Sequence, residues 1–263
     1  MPVEAKTAID HLSVSQINMF LRCPKQYEFR YIKGIKAPPS GAMIQGTAYH
    51  HAVAQDLISK RDAGTLLSES DLIDAFASSF ESKLKSKEID DEEGEAWEFE
   101  DIEWDEQHPD KVKDEGIRLA LMYHRQKAGT LAPTEVERRQ EITIAGYRFI
   151  LIADVVEEGR IIDHKVRKRR QSESDIAQDL QSIVYSMFYP GKAFEWHNVL
   201  RLKTPVIEVT GTTRTQKDFN RFTALAEQVG TAIQSGIFYP SPIGWHCSEK
   251  WCGYWNECQG RYK

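Results

Sequence analysis

Apolar residues recur at helical spacing through the first half of the chain, with polar residues between them. This spacing predicts four helices: one through Met19, Phe20 and Leu21, and others over about Met43 to Lys60, Ser70 to Lys87 and Lys111 to Lys127. Ser13 and Ser15 are plausible N-caps of the first. Pro24 interrupts the first apolar pattern, because proline cannot donate the hydrogen bond that a helix interior needs. The first half is therefore predicted to be mainly helical.

Strand-like alternation replaces helical spacing after residue 134. Three strands are predicted at Glu135 to Ile144, Tyr147 to Val156 and Arg160 to Val166, with turns at Gly146 and Glu158-Gly159. Beyond them the pattern predicts a helix over Ser172 to Phe188, short strands at Val199 to Lys203 and Val206 to Val209, and a helix over Arg214 to Ser235. This order of elements predicts an α/β fold with a mixed central sheet.

Composition narrows the class of protein. The chain has 263 residues, of which 41% are hydrophobic and 28% are charged, so it can bury a sizeable core. No segment approaches the roughly 20 consecutive apolar residues that a membrane-spanning helix needs. The N-terminus lacks the apolar region of a signal peptide. We therefore expect a soluble cytoplasmic protein with no membrane partner.

Acidic residues are concentrated in one block, from Glu88 to Asp110. The block holds 13 acidic residues and no lysine or arginine, whereas the rest of the chain holds 34 basic and 27 acidic residues. A basic body of this kind suits a polyanionic partner such as DNA. The block itself is either a solvated insertion, which we favour, or a mimic of nucleic acid that occludes a basic groove. Aromatic residues lie among its carboxylates, at Trp97, Phe99 and Trp104.

The sharpest basic cluster follows the third predicted strand. It consists of Lys165, Arg167, Lys168, Arg169 and Arg170. Basic runs are often solvated surface, so the cluster alone does not decide the partner. If the partner is DNA, the run from Arg167 to Arg170 is a candidate for binding its phosphate backbone.

Charged residues also fall within two strands that are otherwise rich in isoleucine, leucine and valine. Asp154 lies late in the second strand, and Asp163 and Lys165 share one face of the third, because strand side chains alternate; His164 takes the other face. Two carboxylates suit a hard divalent cation such as Mg²⁺ or Mn²⁺, and a lysine beside them can orient or deprotonate a water. The alternative is an exposed salt bridge between Asp163 and Lys165.

Two helices carry further polar candidates. The segment Gly46 to His50 places a small residue one helical turn before a histidine that can ligate a metal, although a lone histidine on a helix is more often structural. Its neighbour His51 leaves the choice between the two histidines open. Gln181 and Tyr185 lie four residues apart and so share a face of the later helix. Gln181 can position DNA or a water, or it belongs to an ordinary polar stripe.

The chain has four cysteines, at Cys23, Cys247, Cys252 and Cys258. Thiolates in a set of four are ligands for zinc or for an iron-sulfur cluster. The short Cys-x-x-Cys pairs typical of zinc ribbons are absent from the sequence, which disfavours zinc. The remaining alternative is four free thiols, with the three late ones buried among tryptophans.

Together these motifs resemble the PD-(D/E)xK nuclease superfamily, and most closely its RecB-type branch. That branch includes the AddB nuclease domain and the CRISPR-adaptation exonucleases that carry an iron-sulfur cluster. The matching segments are Leu12 to Ser15 for the S-x-S helix, Phe20 to Pro24 for the C-P element, Gly46 to His50 for G-x-x-x-H, Ala153-Asp154 for the first metal carboxylate, Asp163 to Lys165 for (D/E)-x-K and Gln181 to Tyr185 for Q-x-x-x-Y. The chain departs from the pattern in having Asp163 where glutamate is commoner, Ala153 where some members have proline, and the acidic block.

The resemblance implies a restriction-endonuclease-like core, with a mixed central sheet flanked by helices, an N-terminal helical part and a C-terminal cysteine segment. It implies one nuclease domain over residues 1–263. Within it we expect N-terminal helices in 1–60, a helical and acidic insertion in 61–130, the catalytic core in 131–215, and the C-terminal helix and iron-sulfur segment in 216–263.

The resemblance also implies roles for individual residues. His50, Asp154 and Asp163 would bind one or two Mg²⁺ or Mn²⁺ ions, and His164 would add its backbone carbonyl. Lys165 would be the catalytic lysine, and Gln181 and Tyr185 would position substrate or water. A [4Fe-4S] cluster would be held by Cys23, Cys247, Cys252 and Cys258.

The expected function is that of a metal-dependent deoxyribonuclease, with exonuclease action on free DNA ends favoured. Recombination, repair and phage DNA metabolism are the expected settings, and a helicase, recombinase or integrase can serve as protein partner. One alternative is a CRISPR-adaptation nuclease that trims DNA ends together with an integrase. Another is a non-catalytic DNA-binding module, which would bind DNA without metal-dependent cleavage.

Overall fold

The computed structural model describes residues 9–35, 37–85, 102–104 and 107–259. Most of the acidic block, with Trp97 and Phe99, lies outside these residues, so its role stays a prediction. Within the described ranges, no helix combines the length and the apolar character that crossing a membrane would require.

Helices occupy most of the first half of the chain and strands are concentrated in the second. The helices are α1 (Val14–Arg22), α2 (Pro24–Tyr27), α3 (Gly41–Ala63), α4 (Glu69–Lys85), α5 (Pro109–Gln126), α6 (Glu173–Gln178), α7 (Leu180–Phe188), α8 (Gln216–Gln234) and α9 (Trp255–Gln259). A π-helical turn covers Glu28–Ile32, and a 3₁₀ turn covers Ala128–Thr130. The strands are β1 (Glu135–Ile144), β2 (Tyr147–Val156), β3 (Arg160–Arg167), β4 (Ala193–Leu200) and β5 (Val206–Thr212).

The predicted strands β1 to β3 and the four early helices are confirmed to within a few residues, except that the predicted helix end at Lys87 lies outside the described residues. The prediction for β4 was wrong: the strand begins at Ala193, six residues before Val199. Glu195, His197 and Asn198 interrupt its apolar pattern, although the last two are completely buried. The predicted helix over 172–188 was also wrong in part, because Asp179 has an extended backbone and its side chain caps α7 by accepting the Ser182 amide.

The sheet runs in the order β1-β2-β3-β4-β5. Strand β3 is antiparallel to β2 and parallel to β4, and β5 is antiparallel to β4, so the sheet is mixed as predicted. Helices α6 and α7 form the connection from β3 to β4, because parallel neighbours need a crossover. The fold class is therefore the α/β, restriction-endonuclease-like architecture with a mixed central sheet flanked by helices.

The chain divides into two compact units, and β1 and β2 each pass from one into the other. The first unit comprises Met1–Pro38, Gln140–Leu151 and Thr215–Lys263, and the second comprises Pro39–Arg139 and Ile152–Arg214. The second unit has a continuous apolar core in which α3, α4 and α5 pack against Val155, Ile162 and Val199 of the sheet. Each such buried side chain contributes about 1.5–3 kcal/mol to folding.

The first unit packs around aromatic residues. Phe149 of β2 meets Phe222 of α8 edge to face, with 5.7 Å between the ring centroids. Leu12 exchanges backbone hydrogen bonds with Arg148 and Ile150 at 2.8 and 3.1 Å, which fixes the segment before α1 beside β2. Ser13 then caps α1 by accepting the Gln16 amide, as the sequence predicted.

Candidate active site

The hairpin of β2 and β3 brings two carboxylates opposite each other in the second unit. Val155 pairs with Ile162, so the antiparallel register places Asp154 across from Asp163 on one face. The side chain of Asp154 accepts the backbone N–H of His164 at 2.6 Å, which fixes it at the strand junction. The two predicted acids thus lie together, within apolar strands.

Asp163 is almost completely buried, at 2% exposure, and its two oxygens differ. Oδ1 accepts hydrogen bonds from Lys165 Nζ and Gln181 Nε2, both at 2.8 Å. Oδ2 is buried and has no hydrogen-bond partner among the described residues. Burial raises the pKa of Asp163 to about 6, with Lys165 opposing the shift and Asp154 adding to it. A buried carboxylate oxygen with no donor is a suitable ligand for a divalent cation.

Lys165 is the charged partner of this carboxylate. Burial would lower the pKa of its amine, but the charges of Asp163 and Asp154 outweigh burial and raise that pKa above its ordinary value. The amine is therefore an ammonium at neutral pH. In this state it can neutralise negative charge or orient a water, whereas removing a proton from water would first require the ammonium to lose its own.

His50 reaches the same carboxylates from α3. Its Nδ1 lies 3.3 Å from Oδ2 of Asp154, and its side chain is 29% exposed. Burial alone would lower the pKa of His50. The negative charge of Asp154 opposes burial, and the pKa is raised overall. Burial would raise the pKa of Asp154, but His50 holds it below its ordinary value. Of the two adjacent histidines, His50 is the one at the site, while the His51 side chain is exposed.

A third acidic residue, Glu137, lies beside this site and was not predicted from the sequence. One ligand atom each from His50, Glu137 and Asp154 lie within 4.8 Å of one another. The pKa of Glu137 is raised to about 7, by desolvation and then by the charge of Asp154. A signal was available: counting back from a two-residue turn at Ala145-Gly146 puts residue 137 opposite residue 154. The dense charge of Glu-Val-Glu-Arg-Arg obscured it.

Behind the hairpin lies a buried chain of polar side chains. The hydroxyl of Tyr123 on α5 is 2.7 Å from Nε2 of His164 and 2.6 Å from Nδ1 of His197 on β4. Burial lowers the pKa of His164 to about 4 and that of His197 to about 2, so both imidazoles are neutral near pH 7. The His164 ring therefore belongs to this packing, and its backbone is the part of the residue available for a metal.

Helix α7 carries the two remaining predicted residues. The Gln181 amide contacts Asp163 directly, whereas the Tyr185 hydroxyl donates to the carbonyl of Ile152 and accepts the Ile152 amide at 3.2 Å. Tyr185 thus fastens α7 to β2. In the structure, Gln181 faces the carboxylates and Tyr185 supports the position of its helix.

The basic run begins at the end of β3. Arg167 donates to Asn198 at 2.6 Å, Arg169 is 2.9 Å from Asp175, and Arg170 is 3.2 Å from Glu208. The side chains of Arg169 and Arg170 are 74% and 67% exposed. Exposed ion pairs are weak, so phosphate groups can displace these carboxylates.

The four cysteines converge in the first unit. Cys23, Cys247, Cys252 and Cys258 line one pocket together with Gln26 and His246. None of them forms a disulfide. Two donors already point at sulfur: Gln26 Nε2 lies 3.3 Å from Cys252 Sγ, and the Ser241 amide lies 3.4 Å from Cys23 Sγ. Burial raises the pKa of Cys258, and the nearby thiols add to the rise.

One family model and two solved structures are similar to most of this chain. The family model described as the PD-(D/E)XK nuclease superfamily matches residues 11–259. Among solved structures, the crystal structure of "Putative exonuclease" from Eubacterium rectale is similar with a TM-score of 0.55 at 13% identity, covering 90% of this chain and 87% of that one. The structure of SSO0001 has a TM-score of 0.42 at 12% identity, covering 95% and 87%. No curated protein matches the chain.

Proposed function

This chain belongs to the PD-(D/E)XK nuclease superfamily, and we propose that it is a metal-dependent deoxyribonuclease that degrades DNA from free ends. The observation that carries the proposal is Asp163. This buried carboxylate is held at one oxygen by Lys165 and Gln181 while its other oxygen has no donor among the described residues. Such an arrangement is costly as packing alone, but it suits a cation-dependent site.

The donor set fits Mg²⁺ or Mn²⁺, because it combines carboxylate oxygens of Asp154 and Asp163 with the imidazole of His50. A divalent cation bound there would supply an activated water and stabilise charge on the phosphate. The backbone carbonyl of His164 is a further candidate ligand.

The side chains have distinct roles in the proposed reaction. Lys165, an ammonium beside Asp163, neutralises charge that develops on the phosphate or orients the attacking water. Gln181 holds the Asp163 carboxylate in place through its amide. Arg167, Lys168, Arg169 and Arg170 would bind the DNA backbone, and recombination or repair is the setting we propose.

The test is cleavage of labelled linear and circular DNA, single- and double-stranded, with Mg²⁺, Mn²⁺ or EDTA. Loss of linear DNA alone, abolished by EDTA and by Lys165→Ala, is the expected result. Lys60→Ala is the matched control, because Lys60 donates to the carbonyls of Ala128 and Gly129 and should leave cleavage unchanged. Cutting of circles would exclude a strict exonuclease. DNA binding without cleavage, with Mg²⁺ or Mn²⁺ and an integrase partner present, would indicate a non-catalytic DNA-binding module.

For the cysteines we propose a [4Fe-4S] cluster held by Cys23, Cys247, Cys252 and Cys258. The support is the convergence of four thiols from both ends of the sequence on one pocket. Such a cluster would tie the segment after α1 to the C-terminal segment and so stabilise the first unit.

Anaerobic purification with iron, sulfide and zinc analysis tests the cluster. Cys252→Ala should lose the iron and lower the unfolding temperature. Wild type with stoichiometric zinc, or with four free thiols, would contradict the cluster, as would full iron retention in the variant.

A further inference from the structure

The carboxylate of Glu137, an exposed residue, belongs to a group of metal-type ligands. Its carboxylate, Nδ1 or Nε2 of His50 and a carboxylate oxygen of Asp154 all lie within 4.8 Å of one another. Asp163 is outside this group, and its Oδ1 is already occupied by Lys165 and Gln181. The structure thus associates Asp154 with a different third ligand from the one that the family motif supplies.

The backbone at Glu137 gives a second, independent observation. Its φ is +48°, in the left-handed region that non-glycine residues seldom adopt. Such a conformation is energetically unfavourable and persists where the surroundings enforce it, often at functional sites. Glutamate, unlike asparagine or glycine, has no local preference that would explain this position.

The pairing of β1 with β2 indicates why the backbone is strained there. Counted from a two-residue turn at Ala145-Gly146, an unbroken register pairs Thr134 with Glu157, yet the Thr134 amide donates to the Val156 carbonyl at 2.7 Å, one residue short. Strand β1 therefore accommodates one extra residue, as in a β-bulge. Bulges re-aim a side chain, and the strained Glu137 is where its carboxylate turns towards His50 and Asp154.

Charge at this position calls for a cation. Glu137 and Asp154 bring two carboxylates within 4.8 Å of each other and of a nitrogen of His50, and across the hairpin Oδ2 of the buried Asp163 has no partner among the described residues. Like charges packed this closely destabilise one another unless a cation compensates them.

We infer that Glu137 is a side-chain ligand of the divalent cation, completing a site with His50 and Asp154. The inference rests on the proposed function, because the cation is the one that the nuclease would use. A set of one imidazole and two carboxylates favours Mn²⁺ over Mg²⁺, since the nitrogen ligand binds the transition ion more strongly.

The test measures Mn²⁺ binding without DNA, from the electron paramagnetic resonance signal of free Mn²⁺. Glu137→Gln keeps the size of the side chain and removes its charge. Loss of a residue that only supports a metal ligand lowers affinity roughly 10- to 100-fold, so loss of a ligand itself should lower Mn²⁺ affinity at least as much. Glu141→Gln on the same strand is the matched control, because Glu141 lies 3.5 Å from Arg148 and should leave binding unchanged.

A second variant keeps the test valid if Glu137→Gln folds poorly. Glu137→Gly accepts the positive φ without strain, so the metal-free variant should be at least as stable as wild type while its Mn²⁺ affinity is still reduced. If wild type cleaves DNA and binds Mn²⁺, and both Glu137 variants bind Mn²⁺ equally well, Glu137 is not a ligand and the nuclease proposal still stands. Wild type that neither binds Mn²⁺ nor cleaves would overturn both.

Discussion

The amide of Gln181 donates to Oδ1 of Asp163 at 2.8 Å, across the gap between helix α7 and strand β3. The same oxygen accepts the ammonium of Lys165. Two donors on one oxygen hold the carboxylate in a single orientation and direct its second oxygen away from both. The position of helix α7 therefore sets the geometry of the candidate active site.

Gln181→Ala should lower DNA cleavage by about 10- to 100-fold, as expected when a residue that orients a metal ligand is removed. The measurement is the rate of degradation of linear DNA in Mn²⁺. Gln178→Ala on α6 is the control, because Gln178 is exposed and bonds only to Ser174 in the described structure. Equal rates for wild type and both variants would show that Gln181 has no role in the reaction.

Tyr123→Phe should destabilise the protein by about 1–3 kcal/mol, because it leaves buried nitrogen atoms of His164 and His197 without a partner. Urea unfolding of the metal-free protein measures the change. Tyr147→Phe is the matched control, since its hydroxyl makes a partly buried bond to Gln234 at 3.1 Å and should cost less. A smaller loss of stability for Tyr123→Phe than for Tyr147→Phe would show that the buried hydrogen bonds of Tyr123 to His164 and His197 contribute little to stability.

The contribution of His197 to stability should fall as the pH is lowered below about 6.5. The unfolded chain protonates His197 at its ordinary pKa of 6.5, but burial lowers the folded pKa to about 2, so acid favours the unfolded state. The contribution of His197 is fully present above pH 6.5 and is lost by about 1.4 kcal/mol per pH unit below it.

Replacing this histidine should therefore reduce the acid sensitivity. The test covers pH 6.5 to 4.5, about two pH units. In urea unfolding with EDTA, His197→Gln should lose stability less steeply than wild type as the pH falls. His51→Gln, at an exposed side chain, serves as control. An unchanged slope in His197→Gln would mean that His197 is not held neutral by the fold.

Two glycines on the helices of the second unit should respond oppositely to alanine. A Cβ at Gly116 on α5 would lie 2.2 Å from the Phe76 ring, so Gly116→Ala should destabilise the protein by about 1–3 kcal/mol. A Cβ at Gly46 on α3 would meet nothing within 4 Å, so Gly46→Ala should stabilise the helix by up to about 1 kcal/mol. Thermal unfolding of both variants checks the pair, and the same sign for both would contradict the packing described.

Local patterns were sufficient for much of the fold. Strand alternation placed Asp163 and Lys165 on one face, and the capping role of Ser13 followed from its position before an apolar helix. The same patterns missed the start of β4 at Ala193, because completely buried His197 and Asn198 look like surface residues in the sequence. Their burial depends on partners such as Tyr123 and Thr210, which local spacing does not show.

The sequence by itself determined the class of fold, the hairpin that carries Asp154 and Asp163, and the family motifs, because these depend on residues a few positions apart. Only the tertiary structure decided that Glu137 joins His50 and Asp154. The resemblance implied that Cys23 meets the three late cysteines, and packing in the first unit brings all four to one pocket. These groupings join residues many positions apart. Their distances depend on how helices pack on the sheet and on one strained residue in β1, and neither is encoded in local propensity.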